Sequence, residues 1–297
     1  MATIVCVNAQ TPVTPPQITS DQVRRMLNDD NSDLSKLAKS LAGNGDTNRL
    51  FYFPTHDEPS TPTQWGLQYD DVDFKSADGI KLHGWFLKAK GGKPKGTVVF
   101  SHGNAGSIGH HLGFVTWLSE AGYQVFMYDY RGFGKSAGEL NRDGMVQDVK
   151  AAFNYVSQRP DVDKTKLISY GHSLGGAKSV TAIGEDTPKG LRAIIIDGAF
   201  ASYRAMATII GGQFGASMIT DELSPKDFIA KITKIPLLVI HGDKDEVVPF
   251  AQGKELFDLA NEPKTLFEVE EGHHGDSLSR DSGAYRKRVL KWLADRI

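Results

Sequence analysis

From residue 97 onward the chain repeats one pattern, a short apolar run followed by a stretch long enough for a helix. The runs sit in GTVVFSHG, YQVFMYDY, KLISYG, RAIIIDG, PLLVIHG and KTLFEVEE. Near-continuous apolar runs rich in Val, Ile and Phe mark strands buried on both faces. Alternation with helices then leaves few architectures, and the simplest is a mostly parallel sheet between two helical layers. Upstream, YDDVDFKS and KLHGWFLKA flank ADG and read as a β-hairpin that adds antiparallel strands at one edge. The expected helices run from about Gly109 to Ala121, through DGMVQDVKAAFNYVSQR, onward from Leu174, through AQGKELFDLA, and through the closing AYRKRVLKWLADRI. We therefore expect an α/β fold with a mostly parallel central sheet of about eight strands flanked by helices. In such sheets function collects beyond the carboxyl ends of the strands.

Composition narrows the function classes. At 297 residues, 40% hydrophobic and 24% charged, the chain is an ordinary globular protein with room for one large α/β domain. A net charge of −2 and no Lys/Arg-rich run argue against a nucleic-acid partner. The lone cysteine, Cys6, excludes an internal disulfide framework and a multi-thiolate zinc site. Residues 1–60 read as an N-terminal leader with a helical appendage over DQVRRMLNDDNSDLSKLAKSLAG, and residues 61–297 as the α/β domain. The opening ATIVCVNA ends in a small residue like a signal-peptide tail, but it lacks a basic start and is short. A cytoplasmic location fits best; export or membrane association would require that stretch to be a trimmed signal or anchor. No eighteen apolar residues run together, so no transmembrane segment is expected. Oligomeric state has no signature in the sequence.

Gly171-His172-Ser173-Leu174-Gly175 carries the most chemistry. A bare G-x-S-x-G arises by chance on the order of 0.1 times in a chain this long. Here it follows a buried strand and opens a helix, the strand–turn–helix setting of a nucleophile elbow. The turn is tight enough that the residues two before and two after the serine must lack a Cβ. A serine alcohol needs a base, and the base needs an orienting acid. LLVIHGDKDEVVP supplies Asp243 and Asp245 after one strand, and FEVEEGHHGD supplies His273 and His274 after the next. Asp197 also ends a strand and is a further candidate for the acid. The chain order Ser, Asp, His matches the elbow enzymes.

With FSHGNAGSIGHH, YDYRGFGKSAGE, YGHSLGG, IHGDKDEVVPF and EGHHGD, the chain resembles the α/β-hydrolase superfamily, and within it the BEM46-like serine hydrolases, over residues 65–297. The resemblance implies the α/β-hydrolase fold with only a small cap insertion, at about residues 200–232. It implies a catalytic triad of Ser173, Asp245 and His274, with His274 preferred over His273 because Asp276 follows it by two. It implies hydrolysis of a small-molecule acyl ester or thioester through an acyl-enzyme, with no cofactor and no metal.

SHGNAG lies where a second oxyanion donor is needed, so the backbone N–H groups of Asn104 and Leu174 are expected to form the oxyanion hole, with Ala105 as competitor for Asn104. His102 is expected to hold that loop by hydrogen bonding, His172 to be packed beside the elbow, and His110 and His111 to be exposed at a helix start. RGFGKS fails as a phosphate loop because Asp129 stands where its first glycine would be. In the cap, Phe200, Tyr203, Met206 and Phe214 are candidates for substrate binding. Two other readings share the core: a serine peptidase of the prolyl-oligopeptidase type, although residues 1–60 are too few for its propeller, and a non-catalytic binding protein that keeps the elbow as architecture.

Overall fold

The computed structural model describes residues 52–297. Phe53–Pro54 (β1) and Ala105–Gly106 (β5) form a small parallel pair of their own. The main sheet comprises Tyr69–Lys75 (β2), Lys81–Leu87 (β3), Thr97–Ser101 (β4), Gln124–Tyr128 (β6), Leu167–His172 (β7), Leu191–Asp197 (β8), Leu237–Gly242 (β9) and Lys264–Val269 (β10). Its eight strands lie in the order β10-β9-β8-β7-β4-β6-β3-β2. The pairings β4–β6, β4–β7, β7–β8, β8–β9 and β9–β10 are parallel. The expected hairpin β2–β3 is antiparallel and joins the sheet antiparallel to β6.

Alternate residues of each strand feed two cores. Val99, Phe126, Tyr128, Ile194 and Ile196 pack on one face with Val146, Val149, Ile183 and Leu256. Val98, Phe100, Val125, Met127, Ile195 and Ile240 pack on the other with Leu112, Leu118, Val289 and Leu293. The first face is therefore covered by Arg142–Gln158, Leu174–Glu185 and Phe250–Leu259, and the second by the segment 108–120 and Arg280–Ala294. Cover on both faces leaves β4, β6, β7 and β9 buried at every position. Tyr203–Met218 forms the cap helix, kinked at Gly211 and Gly212.

The single helix expected from about Gly109 to Ala121 is broken into Ile108–His111, a tight turn at Leu112–Phe114 and Thr116–Glu120. The Trp117 indole donates to the Phe114 carbonyl at 2.7 Å, drawing that carbonyl out of a regular ladder. His111, expected at the surface, is buried, with Nδ1 donating to the Ser107 carbonyl at 3.0 Å. Of the expected leader, residues 1–51 lie outside the described residues.

Candidate active site

The elbow is built on steric necessity. Ser173 links β7 to Leu174–Glu185 at φ 53° and ψ −119°, a backbone state costing a non-glycine residue about 1–3 kcal/mol. A Cβ on Gly171 would sit 2.5 Å from the Gly175 carbonyl oxygen, and one on Gly175 would sit 1.9 Å from that of Ser101. The absence of side chains there lets the helix start lie directly over β4 and β7. The Ser173 N–H donates to the Asp197 carbonyl at 2.8 Å, tying the turn to β8.

Asp245 follows β9 and is nearly fully buried. Its Oδ1 accepts the N–H groups of Val247 at 3.0 Å and Val248 at 2.8 Å. Its Oδ2 lies 2.8 Å from Nδ1 of His274, and His274 Nε2 lies 3.0 Å from the Ser173 hydroxyl oxygen. A carboxylate can only accept, so the His274 proton sits on Nδ1, and Nε2 is free to accept from Ser173. Burial favours the neutral imidazole of His274, but the hydrogen bond and charge of Asp245 outweigh it and hold its pKa above the ordinary 6.5. Burial likewise pushes Asp245 up, and the His274 hydrogen bond and nearby imidazoles pull it below the usual carboxylate value. The arrangement can take a proton from an alcohol and keep the resulting imidazolium paired.

The structure separates the competing candidates by their partners. His273 is exposed, with Nδ1 donating to Glu246 at 2.9 Å. Asp197 is buried and accepts from the Tyr170 hydroxyl at 3.2 Å, with His172 Nδ1 3.6 Å away. Asp243 has no hydrogen bond to His273 or His274, whereas Asp245 does. His172 is buried, its ring centre 5.0 Å from that of His274 with the two planes tilted by 40°.

Leu174 opens a twelve-residue helix, so its N–H belongs to the turn that has no intrahelical acceptor and carries the positive end of the dipole. His102 is buried, and its Nδ1 donates to the Gly103 carbonyl at 2.7 Å. In a trans peptide the N–H points opposite to the C=O, so this bond sets the direction of the Asn104 N–H. Burial holds the His102 pKa below its ordinary value, which keeps the ring neutral and the donor in place.

Phe200, Tyr203 and Met206 lie at the start of the cap and are largely buried in the first core. Tyr203 is stacked under the Arg142 guanidinium, 3.8 Å from the ring centre, and meets Phe200 edge-on at 4.9 Å. Phe214 lies in the cap helix beyond its kink. Sequence reasoning passed over His241, which is buried with Nε2 donating to the Val248 carbonyl at 2.8 Å and lying 3.4 Å from Asp245 Oδ2. The four-residue spacing from His241 to Asp245 was the available signal. It also passed over residues 53–60, which pack on the Asn104 loop.

Comparison with known proteins agrees with this architecture. A family model described as serine aminopeptidase, S33, matches residues 92–225, a span that includes Ser173 and ends before Asp245 and His274. The chain is 38% identical over 249 residues to the uncharacterized protein YfhR of Escherichia coli K12, covering 82% of this chain and 86% of that one. It is 31% identical over 241 residues to protein bem46 of Schizosaccharomyces pombe, covering 79% and 80%, and 32% identical over 253 residues to the α/β hydrolase domain-containing protein WAV2 of Arabidopsis thaliana, covering 79% and 82%. Among solved structures, the Pyrococcus furiosus esterase Pf2001 superposes with a TM-score of 0.69 at 21% identity, over 82% of this chain and 99% of that one.

Proposed function

The chain belongs to the BEM46-like family of α/β hydrolases, and from that premise we propose that it is a serine hydrolase of carboxylic esters or thioesters. The observation that carries the reading is the continuous hydrogen-bonded line from Asp245 through His274 to Ser173, at 2.8 and 3.0 Å. In this reading His274 Nε2 accepts the Ser173 proton as the serine oxygen attacks the acyl carbon. Asp245 keeps the imidazole in the working tautomer and stabilises its charge. The tetrahedral oxyanion is held by the N–H groups of Asn104 and Leu174, with the helix dipole at Leu174 adding to the second. On collapse, His274 returns the proton to the leaving alcohol or thiol. Water, activated by the same base, then releases the acyl group from Ser173. Every proton passes through one imidazole, and the residues named supply the whole cycle.

For the acyl side of the site we assign the start of the cap. Phe200 and Met206, each 7% exposed, are the residues whose size sets the accepted chain length. Among the described residues no helix is long and apolar enough to cross a membrane. Hydrolysis of p-nitrophenyl esters from acetate to palmitate, beside an acyl-thioester series, tests the reading. Turnover of either series by wild type that is lost in Ser173→Ala supports it, and no turnover of either sinks it. A second reading, an aminopeptidase, is favoured by the description of the matched family model. Cleavage of amino-acid p-nitroanilides faster than of any ester would select it.

A further inference from the structure

The direction of the Asn104 N–H depends on the backbone on both sides of that residue. His102 holds the peptide before it; a segment from the N-terminal part of the chain holds the peptide after it. The Phe53 N–H donates to the Asn104 carbonyl at 2.8 Å and the Thr55 N–H to the Gly106 carbonyl at 3.0 Å. Along its other edge the same segment is fastened to the loop after β6. The Gly134 N–H donates to the Thr55 carbonyl at 2.9 Å, and His56 Nδ1 donates to the Gly134 carbonyl at 2.8 Å. The Ser107 hydroxyl donates to the Asp57 carbonyl at 2.6 Å, and Lys135 pairs with Glu58 at 2.6 Å. Gly109 leaves the room the segment needs, since a Cβ there would lie 2.9 Å from the Ser60 carbonyl oxygen and 3.1 Å from the Glu58 Cα. A two-residue parallel pairing, β1 with β5, has little cooperativity of its own and must be justified by what it fixes in place.

Building on the serine-hydrolase reading, we propose that residues 53–58 form a positioning strap for the oxyanion loop: they fix the Asn104 carbonyl, and through it the aim of the Asn104 N–H at the developing oxyanion. An oxyanion hole works because its donors are already in place when charge appears, so a small displacement of one donor costs rate while leaving ground-state binding nearly unchanged. The strap residues themselves touch no reacting atom.

The test uses the full chain. Phe53→Pro deletes the N–H that reaches Asn104, while Phe53→Ala keeps it. Gly109→Val pushes against the strap from its other side, and Gly113→Val, where a Cβ meets nothing within 4 Å, is the matched control. Five quantities are read: kcat and KM on p-nitrophenyl butyrate, affinity for a trifluoromethyl ketone that forms an oxyanion adduct, Tm, and amide hydrogen exchange over residues 103–107. In Phe53→Pro and Gly109→Val, kcat is expected to fall roughly 5- to 50-fold. KM should stay within about twofold, ketone affinity should fall by the same factor as kcat, and exchange over 103–107 should quicken. Phe53→Ala and Gly113→Val should match wild type. The proposal is overturned if exchange quickens in Phe53→Pro with kcat unchanged, or if Phe53→Ala loses as much as Phe53→Pro. If wild type itself neither hydrolyses the ester nor takes the ketone, the functional reading fails. In that case exchange alone decides the strap: unchanged protection over 103–107 in Phe53→Pro and Gly109→Val overturns it.

Discussion

Replacing Asp245 with asparagine keeps its shape and removes only the charge and the choice of acceptor. In the native turn Oδ1 accepts two backbone N–H groups, from Val247 at 3.0 Å and Val248 at 2.8 Å. The asparagine carbonyl must take over both, so its NH2 group is left facing His274, where Oδ2 stood 2.8 Å from Nδ1. Two donors cannot face each other, so the imidazole must shift its proton to Nε2. That places an N–H toward the Ser173 oxygen at 3.0 Å and blocks the base. A wrong tautomer in a serine triad costs about 10⁴ in kcat, or about 5.5 kcal/mol at 1.36 kcal/mol per tenfold. The pH profile moves as well. Burial alone favours neutral His274, and Asp245 is the main reason its pKa stands above 6.5. Without the Asp245 carboxylate, burial is opposed only by the charges of Asp197 and Glu246, so the acid limb of the residual kcat/KM must shift to lower pH. The assay is p-nitrophenyl ester hydrolysis by Asp245→Asn from pH 5 to 9, beside Asp197→Asn. Asp197→Asn leaves the triad bonds intact and is expected within about tenfold of wild type, since it removes only a neighbouring charge. Activity of Asp245→Asn within tenfold of wild type, or an acid limb that does not move, would refute the reasoning.

Other consequences are as direct. Gly171→Ala sets a Cβ 2.5 Å from backbone on the helix start, and urea unfolding is expected to show a loss of about 2–4 kcal/mol. Lys178 is buried in the nucleophile helix with its ammonium nitrogen donating to the Arg142 carbonyl at 2.9 Å, and burial pushes its pKa well below 10.5. Burial therefore disfavours its charged form in the folded state, a penalty that is full below its folded pKa and vanishes as pH rises toward the unfolded value. Lys178→Met should raise stability at pH 7 by about 1–3 kcal/mol, and the gain should shrink as pH approaches 10, read from Tm against pH. The exposed His273–Glu246 pair joins the neighbours of both triad partners, yet exposed pairs are weak. His273→Ala should change kcat by less than about threefold at moderate salt.

The elbow was legible because its geometry restricts residue type at fixed offsets: glycine two before and two after a serine, between a buried strand and a helix. The segments that hold Asp243, Asp245, His273 and His274 were legible because strand ends can be read from apolar runs, and the family resemblance singled out Asp245 and His274 among them. The choice between Asp245 and Asp197 could not be made from the residues alone, since both are carboxylates at buried strand ends. The choice lies in which one faces His274, and turn geometry sets that. The strap escaped detection because a two-residue pairing has no periodicity, and its partners lie about fifty positions away. Tyr203 read as a pocket residue, but its ring is covered by Arg142. Stacking across 61 positions leaves no trace in a local pattern. The break in the helix over 108–120 depends on a side chain capturing a carbonyl, which helical spacing does not reveal.

The most direct test of the central claim is intact-mass analysis after reaction with a fluorophosphonate. Wild type should gain one adduct, located on Ser173 by peptide mapping, while Ser173→Ala gains none and His274→Ala reacts at least about a hundredfold more slowly for want of its base. A wild-type chain that stays unmodified, or an adduct that persists in Ser173→Ala, would contradict it.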